Sequence, residues 1–82
     1  MKVFDLIDVM PSDQRFIVYE DCNHVLLDTS LILLQITNPD SWLKILEYYK
    51  KYNVIEVRTA LRKDNDGIKR NKIIIKAKKV RK

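Results

Sequence analysis

The only glycine of this 82-residue chain, Gly67, separates two stretches in which successive residues fall on alternate faces. Before it, Ile55, Val57, Thr59 and Leu61 alternate with Glu56, Arg58, Ala60 and Arg62. After it, Ile73, Ile75 and Ala77 alternate with Lys72, Ile74, Lys76 and Lys78. A period of two marks a strand with one face buried. Glycine takes positive φ without steric cost, so Asn65-Asp66-Gly67 fits a three-residue hairpin loop with Gly67 left-handed. That loop sets Asp64 opposite Ile68. It follows that Thr59 faces Ile73, Val57 faces Ile75, Ile55 faces Ala77 and Glu56 faces Lys76. A two-residue Asp-Gly turn would set Val57 against Lys76 and put the apolar sets out of phase, so the three-residue loop is expected.

The remaining elements follow from period and punctuation. Val3, Leu6, Ile7 and Met10 are spaced as one helix face, with Asp5 and Asp8 opposite and Pro11 as the stop. Arg15-Phe-Ile-Val-Tyr19 is β-branched and aromatic and reads as a strand. Asp21-Cys-Asn-His24 has turn character, and Val25-Leu-Leu-Asp28 can return as a second strand. Thr29 and Ser30 offer a helix cap, so Leu31 to Ile36 reads as a helical turn or as an extension of that strand. Asn38-Pro39-Asp40 starts a further helix with the stripe Trp42, Ile45, Leu46 and Tyr49. Glu47 and Lys51 are spaced as an ion pair on it, and Asn53 is placed to end it. The expected fold is α+β, in the order α-β-β-(short α)-α-β-β. Two helices cover one face of a small antiparallel sheet of three or four strands. Residues 1–82 form one domain, with 79–82 a basic tail. Trp42, Ile45, Leu46, Phe4, Ile7, Val57 and Ile75 are the expected core.

Such a short chain buries roughly 60% of its unfolded surface, which leaves little room for a deep cleft beside the core. No constellation of nucleophile, base and oxyanion donors is visible, so a non-enzymatic role is expected. Cys22 and His24 flank a turn, but one cysteine and one histidine fall short of a zinc ligand set. With Gly67 spent in a turn there is no phosphate-cradling glycine loop. No metal and no cofactor are expected. A lone cysteine gives no internal disulfide, which fits a reducing, cytoplasmic setting. The apolar runs are far shorter than the ~20 residues that cross a bilayer. Asp5 and Asp8 interrupt the first of them, so neither a membrane span nor a signal segment is expected.

Charge is distributed unevenly. Residues 1–40 carry two cations against seven carboxylates, a net −5; residues 41–82 carry fourteen against four, a net +10. In the derived register Arg58, Arg62, Arg70, Lys72, Lys76 and Lys78 project together from the sheet face opposite the core. Such a face suits phosphate contacts, and a solvated outer face is the plainer alternative. The hairpin brings no aromatic to it, and Val54 and Ile74 are its only apolar members. That points to duplex backbone, structured RNA, a nucleoprotein or an acidic protein rather than to single strands, which favour stacking platforms. Tyr48 and Tyr52, four apart on the helix flank, form an alternative interface for a protein partner. Attraction between oppositely charged halves of different copies also makes a homodimer an expectation.

The opening Met1-Lys-Val-Phe-Asp-Leu-Ile-Asp-Val-Met-Pro11, followed by strand, hairpin, helix and Val54-Ile-Glu-Val57, resembles small accessory proteins of bacterial phages and mobile elements. The likeness covers most of the chain as a layout. Proteins of this kind include host-defence inhibitors such as anti-CRISPR proteins. The resemblance implies a partner-blocking role by surface contact. Many such inhibitors are acidic DNA mimics. The basic half here departs from that pattern and implies an acidic protein surface or a guide RNA as target.

Overall fold

The computed structural model describes residues 1–20, 24–63 and 66–80. Helix α1 spans Val3–Asp8, strands β1 and β2 span Phe16–Glu20 and His24–Thr29, and helices α2 and α3 span Leu31–Thr37 and Trp42–Tyr48. A 3-10 turn at Tyr49–Lys51 leads into β3, Tyr52–Lys63, and β4 follows as Lys69–Lys79. The fold is α+β. The sheet has four strands in the order β2-β1-β4-β3. It is mixed rather than antiparallel throughout, because β1 and β4 run parallel, with Phe16 beside Ile73 and Val18 beside Ile75. The two hairpins, β1-β2 and β3-β4, are therefore joined through their inner strands by a crossover that carries α2 and α3. This pairing links residues more than fifty apart, and no local pattern signals it.

Between β3 and β4 the predicted register holds from Lys63–Lys69 through Glu56–Lys76, with Thr59 opposite Ile73 and Val57 opposite Ile75. Gly67 has φ +83, and a Cβ there would meet nothing within 4 Å. The glycine is thus required by backbone conformation rather than by crowding. Asp64 lies outside the described residues, so its pairing is not among those observed. Ile55 does not face Ala77 as expected. The register slips between Val54 and Glu56, Val54 takes Ala77 as partner, and Ile55 becomes the extra residue of a β-bulge. The bulge turns Val54 onto the core face, where it packs against the core instead of joining the outer face.

Ser30 resolves the ambiguous segment. Its hydroxyl accepts from the Leu33 N–H at 3.3 Å and its carbonyl from the Leu34 N–H at 2.9 Å, so residues 31–37 start a helix rather than prolong β2. At the far end of α3, Asn53 is no left-handed terminator. The chain tightens to a 3-10 turn and Tyr52 is already extended, at φ −115 and ψ 131. That turn also breaks the spacing expected to join Glu47 to Lys51. The Lys51 ammonium lies 5.2 Å from the Tyr48 ring centre instead. Lys79 is not tail. It ends β4 opposite Tyr52, and the next residue, Val80, donates to the Lys51 carbonyl at 2.7 Å.

The core lies on one face of the sheet. Val3, Ile7, Met10, Leu34, Leu46, Tyr49 and Tyr52 pack on Phe16, Val18, Ile75 and Ala77. Phe4, Trp42 and Ile45 are partly buried at its margin. Val57 departs from expectation and is 47% exposed. A strand of twelve residues runs about 40 Å at roughly 3.3 Å per residue, whereas helices of six or seven residues span about 10 Å. The helices cover the Tyr52 end of β3 and leave Val57 and Leu61 open.

Candidate nucleic-acid interface

The outer sheet face carries the cations, and the fold sorts them. Arg58, Arg62 and Lys78 are exposed and Lys76 is half-buried. Arg58 and Arg62 form no ion pair with a described residue. Arg70 is held by Asp66 at 3.1 Å, and the same carboxylate accepts from the Ile68 N–H at 3.0 Å. Asp66 thereby holds Ile68 and Arg70 and offsets the repulsion between Arg70 and Arg62, which do stand directly opposite.

Lys72 was expected among the outward cations and is only 1% exposed. It stands on the outer face of β4, and its ammonium meets the Asp28 carboxylate of β2 at 3.2 Å. Because β1 lies between these two strands, the lysine stem must cross it to make the pair. The sequence offered no sign of this, since it depends on β1 and β2 being laid beside β4. Lys72 is a structural cation and leaves the candidate site.

The same strand order brings in residues that the hairpin alone lacks. Ile17 and Tyr19 of β1 stand beside Ile74 and Lys76 of β4, and Val25 of β2 pairs with Tyr19. The expectation of a basic face without an aromatic is thus overturned. Ile17, Tyr19, Val25 and Ile74 form the floor of a shallow depression of about 260 Å³, with Arg58 and Arg62 along its rim. The signal was present locally: Ile17 and Tyr19 alternate with the core residues Phe16 and Val18. What was missing was the partner strand.

The alternative interface divides. Tyr48 is 44% exposed, but Tyr52 is 3% exposed and belongs to the core. Tyr48, Tyr49 and Tyr52 form a ring cluster with centres 5.4–5.8 Å apart. The neighbouring Tyr48 hydroxyl, reinforced by burial, pushes the Tyr52 hydroxyl up to about 12. Burial also raises Tyr49, whose hydroxyl donates to the Leu26 carbonyl at 3.2 Å. The cluster is internal packing with one exposed edge.

His24 is exposed at the start of β2, while Cys22 lies outside the described residues. Among the described residues no group of three or more His, Cys, Asp or Glu could hold a metal ion. No described helix is long and apolar enough to cross a membrane. Comparison with known proteins finds no matching family model, no similar curated protein and no similar solved structure.

Proposed function

We propose that the chain is a non-enzymatic nucleic-acid-binding module, and that its outer sheet face takes single-stranded nucleic acid. The observation that carries this reading is Tyr19 in an apolar depression rimmed by Arg58 and Arg62. Aromatic side chains on an open sheet face stack bases, and cations beside them hold the backbone. The depression falls just below the roughly 300–1,000 Å³ of small-molecule sites, which suits one flat group laid on a surface. Lys76 beside Tyr19 and Lys78 further along β4 extend the positive track. The resemblance to phage accessory proteins fits the same face, since a nucleoprotein target would present such a strand.

The test is fluorescence anisotropy with a short labelled oligonucleotide. Four contacts, from Arg58, Arg62, Lys76 and Lys78, at about −0.7 each predict a log–log salt slope of about −2.8. Affinity should then fall roughly 50-fold between about 50 and 200 mM salt. Tyr19→Ala should cost about 1–3 kcal/mol on a single strand, the worth of one stacked base, and far less on duplex of the same sequence. Equal loss on both would move the reading to duplex backbone. No salt-dependent binding to any nucleic acid, with capture of a protein that survives nuclease treatment, would replace it with an acidic protein partner.

A further inference from the structure

We infer that β3 is a self-pairing edge, and that two copies of this chain join through it to form one continuous eight-stranded sheet. Strand β3 is the outermost strand of the sheet, with β4 as its one neighbouring strand among the described residues. At its start the free edge is occupied: Lys2 bridges Asn53, and the Val54 N–H donates to the Met1 carbonyl at 2.8 Å. The bulge at Ile55 follows. From Glu56 onward no described residue pairs with that edge, so its outward N–H and C=O groups are a template for another strand. The same stretch leaves Val57 and Leu61 exposed on the helix-side face, at 47% and 64%.

The sequence of β3 selects a second copy as the occupant and also selects the register. A two-fold axis perpendicular to the sheet keeps each face continuous, and residues opposite each other must then point the same way. The axis therefore passes midway between a residue and its own counterpart. Centred on Thr59, the pairing sets Val57 against Leu61 of the second copy and Glu56 against its Arg62, each twice by symmetry. The exposed apolar residues cover one another, and the opposite charges meet. Centred on Arg58, the pairing would put Arg58 against itself. Centred on Ala60, it would put Arg58 against Arg62 twice. Like charges directly opposite are destabilising, so of these three centres Thr59 is the one that serves. The paired stretch then runs from 56 to 62 in each copy and stops short of the Lys2 bridge. Both outer faces emerge on the same side of the joined sheet. Arg62 is shared with the outer face, but the pairing needs no nucleic acid and stands whether or not that face binds it.

Sedimentation of the full chain without nucleic acid tests the association. A dimer is expected. Glu56→Arg should weaken it about tenfold or more, because two attractive pairs become repulsive. The double variant Glu56→Arg with Arg62→Glu should restore it, because the charges are exchanged and not removed. Cross-linking tests the register in a Cys22→Ser background. Thr59→Cys should oxidise to a covalent dimer, since opposed residues in an antiparallel pair have Cα atoms about 4.5–5.5 Å apart, within disulfide range. Leu61→Cys should not, because its counterpart lies four residues along, about 14 Å away. A monomer at all concentrations overturns the inference. So does a dimer indifferent to Glu56→Arg, or one cross-linked as readily through Leu61→Cys.

Discussion

Replacing Asp28 by Asn separates the two kinds of cation on the outer face. The change removes a charge and keeps the shape, and it leaves the Lys72 ammonium, 1% exposed, beside a neutral amide. Removing one partner of a fully buried pair costs about 3–5 kcal/mol, whereas exposed pairs are worth about 0–1. Here the lysine is buried but the aspartate side chain is 44% exposed, so water screens one end of the interaction. The expected cost lies between these limits, at about 2 kcal/mol. Small domains lose roughly 1 kcal/mol of stability per molar urea, so the denaturation midpoint should fall by about 2 M. Lys72→Met is the matching control. It keeps an apolar stem across β1 and removes the buried charge. The exposed Asp28 is left to water, and the change should cost under about 1 kcal/mol. Urea unfolding followed by Trp42 fluorescence measures both. A midpoint shift of less than about 0.5 M for Asp28→Asn, or a larger loss for Lys72→Met, would rule out a stabilising buried pair. Lys72→Met should also leave oligonucleotide affinity and its salt slope unchanged, which a cation touching phosphate could not do.

Two further outcomes concern the core. Leu46, 2% exposed where α3 meets the sheet, should cost about 2–5 kcal/mol on truncation to Ala, and equal urea midpoints for variant and parent would contradict the packing. Tyr52 ionises in the folded chain near 12 rather than 10, so the folded state holds its proton more tightly than the unfolded state does. Its contribution is therefore complete below pH 10 and is lost as pH rises towards 12. Tyr52→Phe should flatten the alkaline loss of stability in that window, as read from thermal midpoints at a series of pH values.

The legible and illegible parts of this fold differ in the range of interaction that decides them. The register of β3 on β4 could be derived because Gly67 fixes a short loop and alternation fixes the phase, both within twenty-odd residues. The cap at Ser30 could be named, yet whether it opened a helix depended on which carbonyls the neighbouring N–H groups would find. Val57 was misplaced for a geometric reason. Alternation says that a residue faces the helix layer, but not that the layer extends far enough to cover it. The bulge at Ile55 has no marker in Val54-Ile-Glu-Val57. The settings of Lys72 and Tyr19 lie beyond local pattern for one reason: the parallel joining of β1 to β4 decides the surroundings of both. One received a carboxylate from β2 and left the surface; the other became the aromatic that the basic face had lacked.

That joining also turns the charge asymmetry of the sequence into a gradient across the sheet. The acidic N-terminal half supplies β1 and β2, and Asp28 there cancels Lys72. The basic half supplies β4 and β3. Among their outward cations, Arg70 is tied to its own loop, while Arg58 and Arg62 on β3 have no described ion-pair partner. The outer face thus passes from near-neutral and apolar at Ile17, Tyr19 and Val25 to positive at Arg58 and Arg62 on β3. A polyanion with flat apolar side groups fits this gradient in one orientation: backbone along the arginines, bases turned inward over Tyr19. A double helix presents phosphates outward and keeps its bases stacked inside, so it could use the arginines but not the depression. Tyr19→Ala therefore distinguishes the two modes better than loss of any cation, because every cation on this face contributes to both.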